Sequence, residues 1–340
     1  MPRCRKAAQT TRAPAARVRA SAALVRLARS WPPAYGAGMP ELPEVETVRR
    51  MLDESVRGRT IRSVTLSGLR LREPIPSTLP RRLRGRTIGR VERTAKYLLI
   101  GLDDGLTLLS HLGMSGRWLV LRPGERPALG HVHARIRFAD GAGLWFQDPR
   151  RFGLLRLVRT AALRRDPALA RLGPDPVATP PTGAWLGVVA RGSRVAVKTF
   201  LMDQRRIAGL GNIYASEVLH RAGLDPRRRV GALAGAEWDA VAREVREVLA
   251  EAIAAMGTTF SMYRTVWGEP GRYGDQLLVY DRAGEPCRRC GTPIRRIVQG
   301  RRSTFFCPAC QGGRGAARRS RAGRPTAGMP VRSRSGRKAD

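Results

Sequence analysis

Four cysteines near the end of the chain restrict its folding more than any other feature. They form two C-x2-C pairs separated by sixteen residues, Cys287 with Cys290 and Cys307 with Cys310. Two such pairs can place four thiolates around one tetrahedral Zn²⁺ ion, whereas two disulfides or unpaired buried thiols would use the same cysteines differently. Because four protein ligands leave no open coordination position, the zinc interpretation predicts one structural ion and no catalytic metal.

The charge balance favours a polyanionic partner. The 340 residues include 63 Lys+Arg and 27 Asp+Glu, which gives a formal net charge of +36. Residues 39–312 alone still contain 46 basic and 26 acidic residues. This excess indicates nucleic acid as the partner. Arg301 and Arg302 lie between the cysteine pairs and predict a basic hairpin tip beside the metal.

The first half of the chain has the pattern of a helix followed by antiparallel strands. Pro43 and Glu44 suit the first turn of a helix, and Gly58 can end it. Asp104-Gly105 and Asp140-Gly141 are typical of hairpin turns. These features predict a β-sandwich or barrel with a flanking helix. The predicted strands are Ile61–Leu66, Ile88–Arg93, Tyr97–Leu102, Leu106–Ser110, Val132–Phe138 and Leu144–Phe146.

The second half has helical patterns. Trp238–Met256 repeats apolar residues on one face and predicts an amphipathic helix, and Ala215–Leu219 continues as a helix from the glycine-rich turn Gly209–Asn212. Residues 1–38 are rich in arginine and free of acids, which is typical of a targeting segment or of a start codon placed too early. Residues 312–340 are rich in glycine, arginine and serine and are expected to be disordered.

The run MPELPEVET, Met39–Thr47, carries the strongest chemical signal. As structure, it is a proline and carboxylates that open a helix. If Met39 is removed, however, Pro40 presents a free secondary amine, which can attack C1′ of a sugar and form an iminium. Glu41 and Glu44 would then lie beside that amine as acid–base candidates.

Six motifs follow one another within residues 39–311. They are PELPEVET from Pro40, AKYLL at Ala95–Leu99, HLGMSG at His111–Gly116, DPRRFG at Asp148–Gly153, GLGNIYASE at Gly209–Glu217 and the four-cysteine segment with QGRRSTFFCPACQ. Together they resemble the bacterial formamidopyrimidine-DNA glycosylase family. The resemblance implies a base-excision repair enzyme that removes oxidised purines, 8-oxoguanine and formamidopyrimidines, from duplex DNA. It also implies strand cleavage at the abasic site by β,δ-elimination, through a Schiff base on the N-terminal proline.

The fold implied by the resemblance is α+β and multidomain. It has an N-terminal catalytic β-sandwich with a flanking helix over residues 39–160, a helix–two-turn–helix domain over residues 170–262 and a Cys4 zinc finger over residues 276–311. Residues 1–38 would be a disordered extension absent from the active protein, and residues 312–340 a disordered basic tail. One structural Zn²⁺ would be held by the four cysteines.

The resemblance also implies roles for single residues. Pro40 is the Schiff-base nucleophile, Glu41 the proton donor and Glu44 a further acid–base candidate. Lys96 and Arg302 contact phosphates and donate protons in the β- and δ-elimination steps, respectively. The other expected DNA contacts are His111, Met114, Arg150, Phe152, Lys198 and Asn212. Met114, Arg150 and Phe152 would fill the gap left by the flipped nucleotide.

Two alternatives stay open. An endonuclease VIII-like glycosylase shares the N-terminal proline and prefers oxidised pyrimidines. Gly257–Phe260 and Gly268–Gly271 instead resemble the purine-reading loop, although Tyr263–Trp267 departs from its commonest form. A zinc-finger DNA-binding protein without catalysis would have the same charge and cysteines, but it has no reason to keep Pro40, Glu41 and Glu44 together.

The expected partner is double-stranded DNA that contains oxidised bases. We expect a monomer that works in the cytoplasm, associated with the nucleoid. A membrane partner is not expected, because no apolar run approaches the ~18 residues that span a bilayer. An RNA-binding protein is disfavoured, because no aromatic-rich RNA-recognition strand motif is found.

Overall fold

A buried helix begins the folded part of the chain. The computed structural model describes residues 39–259 and 263–312, so the two expected disordered ends lie outside the described residues. Helix α1 (Leu42–Val56) has Pro43 in its first turn, and Gly58 follows it with a φ of +77°. Val45, Leu52 and the other apolar side chains of one face are buried against the strands. The predicted first helix is therefore confirmed.

Two four-stranded sheets form the predicted β-sandwich. One sheet has the order β1-β6-β7-β5 and the other the order β2-β3-β4-β8, with antiparallel neighbours throughout. Asp104-Gly105 joins β3 to β4 and Asp140-Gly141 joins β6 to β7, as predicted. Trp118 and Phe146 meet in the core, with ring centroids 5.0 Å apart. The strands are β1 (Ile61–Leu66), β2 (Ile88–Thr94), β3 (Tyr97–Leu102), β4 (Leu106–His111), β5 (Arg117–Leu121), β6 (Val132–Phe138), β7 (Gly143–Gln147) and β8 (Leu154–Arg159).

Strands β5 and β8 were not among the predicted strands. Both follow directly on a motif loop, HLGMSG or DPRRFG, and neither is preceded by a hairpin dipeptide. Each fills an edge position, where β5 pairs with β7 and β8 pairs with β4. Because β5 and β8 begin directly after these loops, their pairing in the sheets fixes the position of the last residue of each loop.

A helical unit with its own core follows the sandwich. The short helix α2 (Leu79–Leu83) lies between β1 and β2 and belongs to the sandwich core. The helical unit contains α3 (Gly183–Ala190), α4 (Val197–Met202), α5 (Asn212–Arg221) and α6 (Gly235–Ala254). Helix α6 buries the predicted apolar face and ends before Met256 and Gly257, which both have positive φ. Helices α3 and α4 were not predicted, because they are short and α3 is apolar around its whole circumference. No helix within residues 39–259 and 263–312 is long and apolar enough to cross a membrane.

The four-cysteine segment forms a small third unit. Strands β9 (Arg295–Gln299) and β10 (Arg302–Phe306) pair as an antiparallel hairpin, with Arg302 opposite Gln299. Arg301 in the turn has a φ of +63°. Ile294 and Phe305 are buried in a separate small core beside the cysteines. The basic hairpin tip predicted from the sequence is therefore present.

Three consecutive linker residues join the sandwich to the helical unit. Gly173 N–H donates to Gln204 O at 2.8 Å, and Pro174 O accepts from Ala208 N–H at 3.0 Å. The Asp175 carboxylate accepts from Ala95 N–H at 2.8 Å. The linker thus bonds both to the segment before α5 and to the turn between β2 and β3, which fixes the relative position of these two turns.

The two motif loops of the sandwich lie in contact, and we predict a large cost for a methyl group between them. Gly113 has a φ of +63°, and a Cβ there would lie 2.5 Å from the backbone carbon of Phe152. Gly113→Ala should therefore cost about 1 kcal/mol for left-handed backbone and a further ~1–3 kcal/mol for overpacking. Gly105→Ala, at a φ of +75° with open space, should cost only the first amount. Native-state hydrogen exchange of β4 amides measures the free energy of opening in both variants. An equal loss of that free energy in Gly113→Ala and Gly105→Ala would contradict the contact between the two loops.

Candidate active site

Pro40 and the two glutamates lie in the crevice between the sandwich and the helical unit. Pro40, Glu41 and Glu44 are buried, and Leu42 N–H donates to Gly209 O at 3.1 Å. This bond ties the start of α1 to the glycine-rich turn before α5. The side chains that the sequence brought together within one short motif therefore contact residues about 170 positions away in the chain.

The Glu41 carboxylate has one bonded oxygen and one open oxygen. Its Oε1 accepts from Ile213 N–H at 3.0 Å, whereas its Oε2 is buried without a hydrogen-bond partner among the described residues. Gly211 is required beside it, since a Cβ there would lie 2.3 Å from Cδ of Glu41. Burial raises the pKa of Glu41, and the nearby Lys96 cation opposes the rise. An open, buried carboxyl oxygen with a raised pKa is suited to donate and accept a proton.

Glu44 connects three segments of the chain. Its Oε2 accepts from Glu41 N–H at 2.8 Å, and its Oε1 accepts from Thr258 N–H at 2.7 Å and from the Tyr214 hydroxyl. Gly257 leaves room for it, because a Cβ there would lie 2.6 Å from Oε1. Burial raises the pKa of Glu44 to about 7, although the Tyr214 hydrogen bond acts in the opposite direction. The sequence did not predict Tyr214 or Thr258 as site residues.

Lys96 supplies a positive charge beside the carboxylates. It follows Ala95, whose φ is +53°, and its side chain is buried. Burial lowers the pKa of Lys96, while the negative charges of Glu41 and Glu44 raise it. Within the described part of the chain, its ammonium makes no hydrogen bond, so the donors are available to a bound anion.

The side chain of Lys198, an expected DNA contact, is buried inside the protein. Its Nζ donates to Asn212 Oδ1 at 2.6 Å, to Ser303 O at 2.8 Å and to Thr304 Oγ1 at 2.7 Å. All three donors of an ammonium are thus used within the protein. Burial lowers the pKa of Lys198 to about 7, and the negative charge of Glu41 opposes this fall. The contacts link the start of α5 to the hairpin that carries exposed Arg302.

The predicted gap-filling residues project from two interlocked loops. Phe152 is 45% exposed, and the guanidinium of exposed Arg150 lies 5.3 Å from the centre of its ring. The backbone N–H of Arg150 donates to Ser115 Oγ at 3.1 Å, and Ser115 in turn donates to the buried Asp148 carboxylate. The half-buried Met114 lies on the partner loop, next to Ser115. The structure therefore brings Arg150 and Phe152 together, on a base held by Ser115 and Asp148.

His111 is buried at the start of the HLGMSG loop. Its Nδ1 accepts from Gly113 N–H at 2.8 Å, and its ring lies 4.7 Å from that of Tyr97. Burial and the positive charges of Arg72 and Lys96 lower the pKa of His111 to about 3. The neutral ring therefore carries its proton on Nε2, and that N–H is a donor.

The segment expected to read the base packs against the sandwich. Tyr263 is buried, with its hydroxyl donating to Met256 O at 3.1 Å, and Val266 O accepts from Val120 N–H at 3.1 Å. Trp267 is 43% exposed. Phe260, which the sequence placed in this loop, lies outside the described residues. The segment Tyr263–Trp267 differs from the commonest sequence of this loop, and two of its side chains, Tyr263 and Val266, are part of the sandwich core.

The four cysteines converge as the spacing predicts. Their Sγ atoms all lie within 4.8 Å of one another, including 3.4 Å between Cys290 and Cys307 and 3.9 Å between Cys287 and Cys310. Ligands bound at the usual Zn–S length of ~2.3 Å lie ~3.8 Å apart in a tetrahedron, so the cluster fits one Zn²⁺ ion. The two C-x2-C pairs supply all four ligands, and the site is structural.

Comparison with known proteins assigns the chain to a family. Models of three domains match it: the formamidopyrimidine-DNA glycosylase N-terminal domain over residues 39–155, the formamidopyrimidine-DNA glycosylase H2TH domain over residues 172–264, and a zinc finger found in FPG and IleRS over residues 284–312. The chain belongs to the formamidopyrimidine-DNA glycosylase family. As a member, it is a DNA glycosylase with AP lyase activity and one structural zinc.

Individual relatives of the family agree with the assignment. The formamidopyrimidine-DNA glycosylase of Alkalilimnicola ehrlichii is 47% identical over 279 residues, which cover 80% of this chain and 100% of that protein. MutM (Fpg) from Thermus thermophilus superimposes with a TM-score of 0.71 at 41% identity, covering 80% of this chain and 99% of the other. Lactococcus lactis Fpg, in a complex with DNA containing an abasic site, gives a TM-score of 0.72 at 32% identity with the same coverage. The family, fold and zinc predictions are confirmed.

Burial of Glu44 should make the stability of this glycosylase depend on pH. The folded pKa of about 7 lies above the ordinary value of 4.5, so folding favours the protonated carboxyl. The resulting stabilisation is complete below about pH 4.5 and is lost as the pH rises through 7, by about 3 kcal/mol. Wild type should therefore lose about that much more unfolding free energy between pH 4.5 and 8 than Glu44→Gln, in urea titrations. Glu54→Gln, an exposed carboxylate on α1, is the control. Parallel pH curves for wild type and Glu44→Gln would contradict the assignment.

Proposed function

We propose that this chain removes oxidised purines from duplex DNA and then nicks the abasic site, with Pro40 as the nucleophile. The observation that carries the proposal is the pair of buried carboxylates directly after Pro40, one of which keeps an open oxygen in the described structure. Lys96 supplies a buried cation to the same crevice, and its ammonium makes no hydrogen bond to the described residues. An acid, a base and a phosphate-binding charge around a secondary amine meet the needs of glycosylase and lyase chemistry.

Each step of this chemistry can be assigned to a side chain. The amine of Pro40 forms a bond to C1′, the bond from C1′ to the damaged base breaks, and the base leaves with a proton. Glu41 then protonates the ring oxygen as the sugar opens to the iminium. The iminium acidifies the C2′ proton, which passes to the Glu41 carboxylate left by the previous step; its removal expels the 3′ phosphate, and a second elimination expels the 5′ phosphate. Lys96 and Arg302 are the proposed proton donors in the two eliminations.

The amine itself sets a requirement on the chain. Within an uninterrupted chain Pro40 is a tertiary amide, whose nitrogen lone pair is delocalised into the carbonyl, so it cannot form an iminium. The active species must therefore begin at Pro40, after removal of Met39 and of anything before it. An unmodified α-amine has a pKa of about 7.7–8.0, so a useful fraction is neutral and nucleophilic near physiological pH.

The proposed grip on DNA combines three kinds of contact. Lys96, Asn212 and Arg302 hold phosphates around the lesion, and the Nε2–H of His111 contacts the backbone. The start of α5 favours an anion, and in this structure its Ile213 N–H bonds the Glu41 carboxylate. Lys198 does not reach DNA in this arrangement: it orients the Asn212 amide and the hairpin of Arg302. Its role is therefore one of positioning.

Met114, Arg150 and Phe152 are the proposed occupants of the gap that the flipped nucleotide leaves. Apolar wedges of this kind offset part of the lost stacking, which is worth a few kcal/mol per step. Asp148 and Ser115 hold the base of the two loops, so the exposed aromatic ring of Phe152 is presented on a rigid support.

Oxidised purines are the favoured substrates, and oxidised pyrimidines are a second candidate. The purine preference rests on the motifs at Gly257 and Gly268–Gly271. The second candidate rests on Lactococcus lactis Fpg, which has been crystallised as the wild-type protein with DNA containing an oxidised pyrimidine and as a mutant with DNA containing Fapy-dG. We also infer that the enzyme acts as a monomer, in the cytoplasm and in association with the nucleoid.

Borohydride trapping on a duplex containing 8-oxoguanine tests the nucleophile. A chain that begins at Pro40 should cross-link to DNA, whereas intact 1–340 should not, because its Pro40 nitrogen is an amide. Glu41→Gln should reduce base excision by about 10²-fold or more, the usual worth of a positioned acid. Glu54→Gln, on the exposed face of α1, should cross-link as wild type does. Cross-linking by verified intact 1–340, mapped to a residue other than Pro40, would overturn the mechanism.

The salt dependence of binding tests the grip and separates two roles for Lys198. In a Glu41→Gln background, Arg302→Ala should flatten the slope of log affinity against log salt by about 0.9, the value of one released counterion. Asn212→Ala removes no charge and should weaken binding without flattening the slope. Lys198→Met should behave like Asn212→Ala, because its ammonium is enclosed by protein acceptors. In the Arg302→Ala background the indirect effect through Arg302 is absent, so a further flattening of about 0.9 when Lys198→Met is added there would instead make Lys198 a direct phosphate contact.

A further inference from the structure

We propose that His220 donates a hydrogen bond to the zinc-bound thiolate of Cys287, so that α5 is joined directly to the metal site. The Nε2 atom of His220 lies 3.5 Å from Cys287 Sγ, and both side chains are buried, at 1% and 3% exposure. The four cysteines already supply every zinc ligand, so His220 lies outside the coordination sphere. Its contact with the metal site is through the sulfur atom of Cys287.

The polar surroundings of His220 define which ring nitrogen carries the proton. Its Nδ1 is buried without a hydrogen-bond partner among the described residues. If Nδ1 carried the proton, an N–H group would be buried unpaired, and the Nε2 lone pair would point at a thiolate. With the proton on Nε2, the only N–H of the neutral ring faces the sulfur, and the unpaired atom is an acceptor. The second arrangement makes one hydrogen bond and leaves no buried N–H group unpaired.

A donor at this sulfur has a clear electrostatic use. Four thiolates around Zn²⁺ carry a formal excess of two negative charges, and N–H groups directed at sulfur offset it. The backbone supplies such donors in the usual positions, from Arg289 N–H to Cys287 at 3.4 Å and from Cys310 N–H to Cys307 at 3.4 Å. His220 adds a side-chain donor from another unit of the protein. Partners of this outer kind affect metal affinity by 10–100-fold when they are removed.

The position of His220 on α5 gives the bond a structural consequence. Asn212 begins this helix and is held to β10 by Lys198. Further along, the Glu217 carboxylate accepts from the three backbone N–H groups of residues 278–280, which lead into the zinc module. His220, near its end, reaches the metal ligand itself. The start, middle and end of one helix therefore hold the module that carries Arg302, and the bound ion is part of that attachment.

The hydrogen bond can be detected in the wild-type enzyme without any substitution. The full chain, labelled with ¹⁵N-histidine, is loaded with ¹¹³Cd in place of zinc. A bond from Nε2–H to a metal-bound sulfur should give a scalar coupling between ¹¹³Cd and the His220 N–H proton, seen as a cross-peak for one of the four histidines. His220→Gln identifies the cross-peak by removing it. A Cd-loaded protein without such a coupling, in which His220 carries its proton on Nδ1, would overturn the proposal.

Zinc retention tests the consequence of the bond. His220→Phe keeps a ring of similar size but removes the donor, and it should raise the equilibrium loss of zinc to a chromophoric chelator by 10–100-fold. His220→Gln keeps an N–H group and should retain zinc better than His220→Phe. His131→Phe makes the same change at an exposed histidine and should match wild type. Wild-type retention in His220→Phe would refute the proposal, and if that variant does not fold, the cadmium coupling in wild type decides it. Neither readout depends on glycosylase activity.

Discussion

The buried carboxylate of Glu44 is the contact on which the rest of the site depends. It accepts hydrogen bonds from the backbone of Glu41, from the backbone of Thr258 and from the hydroxyl of Tyr214. These donors come from the residue just before α1, the segment after α6 and the first turn of α5. Burying an ionisable group costs free energy, which the pKa of about 7 records. The hydrogen bonds that offset this cost hold the sandwich and the helical unit together around Pro40.

Much of the sandwich could be predicted because its signals are local. Alternating apolar residues and the dipeptides Asp104-Gly105 and Asp140-Gly141 fix strands and turns within a few positions. Strands β5 and β8 are not preceded by such dipeptides. They follow the HLGMSG and DPRRFG loops, which contact each other. Gly113 and Phe152 illustrate this, because their close approach joins loops about forty residues apart. Periodicity within a short window carries no signal of that kind.

The candidate site divides in the same way. Pro40, Glu41 and the four cysteines could be found from the sequence, because the chemistry of each is defined by neighbours in one motif. Tyr214 could not, because a tyrosine in GLGNIYASE becomes a site residue only when α1 places Glu44 against it. His220 likewise gains its partner from the zinc module, 67 positions away. The sequence predicts charges and ligands well, and it predicts their buried partners poorly.

The two lysines of the folded part show how geometry decides between basic residues. The chain has only four lysines among 63 basic residues, and Lys96 and Lys198 are the two within residues 39–312. Lys198 directs three hydrogen bonds from one nitrogen to acceptors on two different units, which suits a tetrahedral ammonium and not a planar guanidinium. Lys96 places a compact charge beside Glu41 and Glu44, and the N–H donors of its ammonium make no hydrogen bond to the described residues. An arginine in either place would replace the tetrahedral ammonium by a planar guanidinium fork. In an arginine-rich chain, the two lysines therefore mark the places where a point charge is required.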